Sequence, residues 1–328
     1  MSARSALGQY RRMADIRLIL TSDYARLGRD ARQLSRREAA GELSRIRQGV
    51  YVPAADWRAM SGWEKYPVLI EAAVSTLRSR TVLCRQSAAC VWGVPLLGVH
   101  TLVHACTGDD GGGRSRAGVR RHHADFRTLE FEERGGFLVT SRLRTVLDLA
   151  AFDSFEQAVV AFDHVLKPDP GRALPAFTKD DLAAGVSVYS AAAARRIQVA
   201  LDFSDPAAGS PGESLSRALM YLGGVKLPLL QSEVRDARGL AGYLDFEWPE
   251  DRIAGEFDGM VKYQKAEYLQ GRTAGHVVVE EKRREDRIRA TGRRVIRWTW
   301  SDLASPAKFA AFLVAAGVPK VKRSSCRR

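Results

Sequence analysis

The segment YLDFEWPEDRIAGEFDGMVK, residues 243–262, constrains the fold most strongly because its two predicted strands carry acidic residues. Asp245 lies within the first strand, and Glu256 and Asp258 lie at the end of the second. The aromatic residues in these strands favour burial. A carboxylate is costly to bury unless it is paired or holds a cation. The segment therefore predicts a partly buried group of carboxylates that needs a compensating positive charge.

Two interpretations of these acids follow from the residues alone. Carboxylate oxygens are the hard ligands that suit Mg²⁺ or Mn²⁺, and in a basic protein such a site indicates hydrolysis of a phosphodiester. In the structural alternative, Asp245 ends a hairpin strand, and Glu256 and Asp258 pair with nearby arginines. The segment by itself leaves both interpretations open.

The charge balance points to a polyanionic partner. The 328 residues include 51 lysines and arginines against 38 acids, for a net charge of +13. Most of the basic residues are arginines, which bind phosphate bidentately. DNA or RNA is therefore the first candidate partner, although ribosomal or membrane-surface contact would give the same bulk charge. At this length we expect two or three domains.

The sequence also predicts the cellular compartment. The first residues contain no apolar stretch typical of a signal peptide. No apolar run approaches the ~20 residues needed to span a bilayer. We therefore expect a cytoplasmic protein that does not enter a membrane.

Residues 1–56 predict a winged helix-turn-helix. Two short helices, SDYARLG and ARQLSRREAA, precede a β-hairpin that contains VYVP. On this interpretation the second helix is the recognition helix, and the hairpin is the wing. The arginines predicted to contact DNA are Arg29, Arg32, Arg36, Arg37, Arg45 and Arg47. The alternative is that they form an ordinary solvated face.

The middle of the chain predicts an α+β domain over residues 57–165, followed by a linker and helices over residues 166–212. A polar glycine loop at residues 108–113 lacks the Lys-Ser/Thr ending of a phosphate-binding loop, so we predict a hairpin loop there. The run Arg120-Arg121-His122-His123 after it forms a basic patch.

Residues 213–317 predict an α/β domain in the order helix, three strands, helix, strand. This αβββαβ order is that of restriction-endonuclease-like folds. The helices are ESLSRALMYL and VVVEEKRREDRIRAT, and the strands are LLQSEV, YLDFEW, RIAGEFDG and RRVIRWTW. Residues 318–328 form a basic tail.

The C-terminal region, roughly residues 210–313, resembles the PD-(D/E)XK nuclease superfamily, and most closely its very-short-patch-repair-like branch. The resemblance is carried by Glu213 on the first helix, Asp245 on the second strand, and the Glu256-x-Asp258-Gly259 motif on the third. It implies that Glu213, Asp245 and Glu256 hold one or two Mg²⁺ ions during catalysis. It further implies that Asp258 is another ligand or orients the attacking water.

One position departs from the superfamily pattern. The pattern places a lysine two residues after Glu256, where this chain has Asp258. Lys262, three residues after Gly259, and Lys282 on the following helix are the candidates for the basic catalytic group, which would stabilise developing negative charge. The alternative for each lysine is an ordinary surface charge.

The front of the chain, roughly residues 15–165, resembles AbiEi-type antitoxins of type IV toxin–antitoxin systems. The winged-helix segment LSRREAAGELSRIRQGVYVP carries this resemblance, with RQSAACVWGVPL, GVRRHHADF and VTSRLRTVLDLA in the following domain. It implies repression of the protein's own promoter and a toxin partner that the sequence does not identify. The sequence thus supports two hypotheses: a DNA-binding, Mg²⁺-dependent endonuclease, and a transcriptional regulator or antitoxin without catalysis.

Overall fold

The computed structural model describes residues 16–77, 81–108, 118–259 and 274–321, with the backbone alone for 274–281. Two compact units are present. The first extends to residue 202, except for residues 162–164, which belong with residues 203 onward in the second. The described residues form three sheets and thirteen α-helices, so the chain is a mixed α/β protein. Among these helices none combines the length and apolar character that crossing a membrane requires.

The first sheet of the first unit is antiparallel, with the strand order β1–β3–β2. In chain order, the strands of this sheet and the helices between them are β1 (Ile19–Leu20), α1 (Thr21–Arg26), α2 (Arg32–Ala39), β2 (Leu43–Arg47) and β3 (Val50–Pro53). Leu34 of α2 is fully buried and packs with Leu43 and Tyr51 of the hairpin. This apolar contact fixes one face of α2, and the arginines of α2 lie on its other faces.

The second sheet of the first unit has five strands in the order β6–β5–β4–β8–β7. The elements around it are α3 (Ala54–Ala59), α4 (Gly62–Val74), β4 (Val82–Leu83), α5 (Arg85–Trp92), β5 (Val103–Thr107), β6 (Val119–His123), β7 (Phe131–Arg134), β8 (Phe137–Thr140), α6 (Arg142–Phe152), α7 (Phe155–Val165), α8 (Lys179–Ala184) and α9 (Ala191–Phe203). Short 3-10 helices cover Pro170–Arg172 and Gly185–Val188.

The prediction of a hairpin loop at residues 108–113 is wrong. Strands β5 and β6, which flank that loop, pair in parallel, with Val103 opposite Val119 and Thr107 opposite His123. A parallel pair cannot be joined by a tight turn, because the chain must return to the starting end of the first strand. Most of this connection lies outside the described residues.

The second unit contains the four-stranded sheet β12–β11–β10–β9, in which β9, β10 and β11 are antiparallel and β12 is parallel to β11. Its elements are α10 (Pro211–Leu222), β9 (Leu229–Asp236), β10 (Gly239–Trp248), β11 (Ile253–Phe257), α11 (Ala274–Ala290), β12 (Arg294–Trp298), α12 (Trp300–Leu303) and α13 (Pro306–Ala315). The predicted sequence of helix, three strands, helix and strand is therefore present.

Aromatic packing anchors this sheet to its helices. Phe246 and Trp298 are almost completely buried, and their rings lie 5.0 Å apart. The Trp298 indole Nε1 donates a hydrogen bond of 2.8 Å to Ser216 Oγ on α10. The Trp298 ring also lies directly against the backbone of Gly255, where a Cβ would stand only 2.6 Å from Trp298 Cη2.

We expect Gly255→Ala to lower the free energy of unfolding by about 1–3 kcal/mol, because the added methyl group overpacks the Trp298 ring. Gly259→Ala is the matched control, since its Cβ would meet Phe257 at an ordinary contact distance of 3.4 Å. Urea unfolding followed by circular dichroism measures both variants. Equal stability of the two would contradict this account of the core.

Candidate functional site

Glu213 is fixed at the start of α10. Ser210 caps this helix by accepting a hydrogen bond of 3.2 Å from the Glu213 N–H. The Glu213 side chain is buried, and its Oε2 accepts hydrogen bonds from the Gly209 N–H (2.6 Å) and from Gln231 Nε2 on β9 (3.1 Å). Burial, and then the charge of Asp245, raises the pKa of Glu213. The carboxylate is thus held in place close to a second acid.

Asp245 lies where β10 and β11 separate. The last cross-strand pair before the separation is Phe246 with Gly255. Beyond it, Asp245 Oδ2 accepts a hydrogen bond of 2.9 Å from the backbone N–H of Phe257. The side chain therefore takes the place of the missing carbonyl partner on β10. This contact places the Asp245 carboxylate beside the end of β11.

Glu256 is buried on β11 and is only partly compensated. Its Oε2 accepts a hydrogen bond of 3.0 Å from Arg284 Nη2, but its buried Oε1 has no hydrogen-bond partner within the described part of the chain. Burial is the largest cause that raises the pKa of Glu256 to about 7, and the charge of Asp245 adds to it. Arg284 and Arg297 oppose this rise without cancelling it.

Asp258 extends the pairing of β11 with β12. Its N–H donates a hydrogen bond of 2.8 Å to the Trp298 carbonyl, and its Oδ2 lies 3.9 Å from Arg297 Nη1. Arg297 is also the neighbour of Glu256 in the parallel ladder and pairs at 2.9 Å with Glu285 on α11. Arginine contacts to Glu256 and Asp258, the structural alternative from the sequence, are therefore present.

The two lysines predicted as the basic catalytic group are Lys262 and Lys282, and the structure describes only one of them. Lys262 lies outside the described residues. Lys282 is exposed on α11, and it is Arg284 on the same helix that contacts Glu256. The sequence prediction did not name Arg284 as a partner of Glu256, although its position relative to an apolar residue could have indicated it. Ile288 is the buried apolar residue near the end of α11, and Arg284 lies one turn earlier on the same helix face.

The acids fit a divalent cation only in part. Asp245 influences the protonation of both Glu213 and Glu256, and all three offer hard oxygen ligands. The Oε1 of Glu256, which has no hydrogen-bond partner among the described residues, also suits a cation. However, no three or more histidine, cysteine, aspartate or glutamate side chains among residues 16–259 and 274–321, where described, are arranged to hold a metal ion. The donor chemistry fits Mg²⁺, but these side chains do not close a cage around it.

The six arginines predicted to bind DNA fall into two groups. Arg29, Arg32, Arg36 and Arg45 are exposed. Arg37 instead pairs with Glu42 Oε2 at 2.8 Å, and Arg47 is half-buried and donates a hydrogen bond of 2.7 Å to Thr76 Oγ1. The first group is exposed to a ligand, although the Arg29 guanidinium also lies over the Tyr24 ring, whereas Arg37 and Arg47 serve the fold.

The raised pKa of Glu256 makes stability depend on pH. The folded protein keeps this proton up to about pH 7, whereas an ordinary glutamate loses it near 4.5, so stability falls as pH rises between these values. We expect Glu256→Gln, which mimics the neutral acid, to stabilise the protein by up to about 3 kcal/mol at pH 8 and by much less at pH 5. Urea unfolding at both pH values measures this difference.

Asp236→Asn is a control for which we expect the opposite change in stability. Arg287 holds the pKa of Asp236 at about 2 through two hydrogen bonds of 2.7 Å, so its ionised form stabilises the fold. Neutralising Asp236 should therefore destabilise the protein at pH 8. If Glu256→Gln destabilises it in the same way, the carboxylate is better compensated than its contacts indicate.

No protein-family model matches the chain, and no curated protein matches it at a significant level. Among solved structures, the chain is similar to the crystal structure of the RV2827C protein from Mycobacterium tuberculosis. The TM-score is 0.37 and the identity 14%, over 71% of this chain and 88% of that chain. A likeness of this strength carries no conclusion about function.

Proposed function

We propose that this protein binds DNA and hydrolyses its phosphodiester backbone, with a divalent cation, at the carboxylates of the second unit. The observation that carries the proposal is Glu256, a buried acid beside a second acid, Asp245, with one oxygen that accepts no hydrogen bond from any described residue. Buried charge without full compensation is typical of functional sites. The αβββαβ order of the second unit supports its assignment to the restriction-endonuclease-like folds, and the helix pair and hairpin of residues 19–53 support a winged helix.

The residues of the site would have separate roles. Asp245 and Glu256 would hold the cation, with Glu213 next to them and Asp258 at the end of the same strand. When bound, Mg²⁺ lowers the pKa of a coordinated water and offsets charge on the phosphate. Arg284 fixes Glu256 through Oε2, and none of the described residues hydrogen-bonds to Oε1. Gly209 and Gln231 orient Glu213 in the same way.

The proposal is tested by incubating the protein with supercoiled, linear and single-stranded DNA in Mg²⁺, Mn²⁺ or EDTA. We expect cleavage that requires the metal and that Asp245→Ala and Glu256→Ala abolish. Asp286→Ala, which removes an exposed acid from α11, is the matched control and should cut normally. Cleavage that persists in both site variants would rule out this site.

A second candidate function is DNA binding without catalysis, as in a transcriptional regulator or an antitoxin with a toxin partner. Two observations favour it. Arg284 already neutralises part of the Glu256 charge, and the described acids do not close a metal cage. This candidate predicts DNA binding that survives EDTA and no cleavage under any condition. For either function we propose a cytoplasmic location.

Both candidates use helix α2 as the DNA-reading element. Arg32 and Arg36 are exposed and lie four residues apart, on one helix face. We expect Arg32→Ala and Arg36→Ala each to weaken binding to the protein's own upstream DNA by about 1–3 kcal/mol if the side chain reads a base. Arg58→Ala on α3 is a control with the same loss of exposed charge. Fluorescence anisotropy measures binding, and unchanged affinity in both α2 variants would exclude the recognition-helix role.

A further inference from the structure

Strand β6 carries four consecutive basic residues, Arg120 to His123, which we call the basic edge. Within the described residues β6 is an outer strand of the five-stranded sheet, paired on one side with β5. Arg120, Arg121 and His123 are exposed, whereas His122 is half-buried. Because successive side chains point to opposite faces of a strand, cationic groups flank both faces of this sheet edge.

Arg120 and Arg121, rather than the half-buried His122, supply the positive charge of this edge. The His122 ring stacks on His104, with 3.0 Å between His122 Nε2 and His104 Nδ1. Burial, and then the charge of Arg85, lowers the pKa of each imidazole to about 4. The ion pairs found among the described residues of the first unit involve other arginines: Arg26, Arg37, Arg127, Arg144 and Arg172.

The basic edge lies close to the predicted wing. Helix α4 packs against both β2 and β5, and β6 is hydrogen-bonded to β5. The charge of Arg121 also reaches Arg47 on β2, where it adds to burial in lowering the pKa of Arg47. Arg47 and Arg121, from two separate strands, therefore repel each other. Such repulsion opposes folding and is relieved when a polyanion binds.

A simpler role for charge on an outer strand is to block pairing with another chain. That role needs charge only on β6 itself and does not account for the proximity to Arg47. We propose that the basic edge contacts the phosphate backbone of the same DNA duplex that α2 and the wing bind. This inference rests on the proposed DNA binding and extends it by a contact that is independent of base sequence.

The test measures how binding of the full chain to a labelled duplex depends on NaCl, between about 50 and 200 mM, in EDTA. Each phosphate contact that is lost should reduce the slope of log K against log salt by about one. We expect this reduction for Arg120→Gln and for Arg121→Gln, with equal weakening on two unrelated duplexes. Arg121→Lys, which keeps the charge, should retain the slope.

Lys308→Gln is the control, because it removes an exposed charge from α13 in the second unit. Parental slopes in both glutamine variants, or the same slope change in the Lys308 control, would overturn the proposal. So would weakening confined to one duplex, since a backbone contact does not read sequence. If the parent protein does not bind DNA, the proposed function itself fails, so the two failures are distinguishable.

Discussion

The separation of β10 from β11 is the constraint on which the carboxylate site depends. Once the strands diverge beyond Phe246 and Gly255, the N–H of Phe257 has lost its cross-strand acceptor. A buried N–H group must be hydrogen-bonded, and Asp245 supplies the acceptor. Asp245 therefore has a structural task that also fixes its charge next to Glu256 and Glu213. A substitution of Asp245 removes the hydrogen bond to the Phe257 N–H together with a negative charge. A substitution of Glu256 therefore gives a better measure of the effect of charge alone.

Charge compensation around this sheet is local and incomplete. Arg293 pairs with the buried Glu247 at 2.8 Å, and Arg284 pairs with Glu256 at 3.0 Å. A buried ion pair contributes little net stability, because desolvation offsets much of the attraction. For Glu256 the cost of desolvation exceeds the attraction to Arg284, since the pKa of Glu256 remains raised. The contact with Arg284 is thus an ion pair that uses one Glu256 oxygen, while the other accepts no hydrogen bond from the described residues.

Local sequence signals predicted the second unit well and the charge network poorly. The predicted order of helices and strands assigned Glu213, Asp245 and Glu256 to the elements that carry them, because helix and strand patterns depend on near neighbours. The parallel pairing of β5 with β6 was missed because it depends on a return path that no short pattern encodes. The sequence offered arginine pairing of Glu256 and Asp258 as an alternative, but it did not identify which arginines make contacts, for a similar reason. Arg47 hydrogen-bonds Thr76 on the far side of two intervening helices in the sequence, and nothing near Arg47 predicts it.

The parallel pairing of β11 with β12 has a consequence for the order of folding. The paired residues, Ile253 with Arg294, are about 40 positions apart, so this ladder closes a long loop and forms slowly. During synthesis Glu256 leaves the ribosome before Arg284 and Arg297 do. Its carboxylate stays in water until those arginines arrive, because burying it earlier would leave the charge unpaired. Completion of the sheet and neutralisation of its acids are therefore a single late event in the life of the nascent chain.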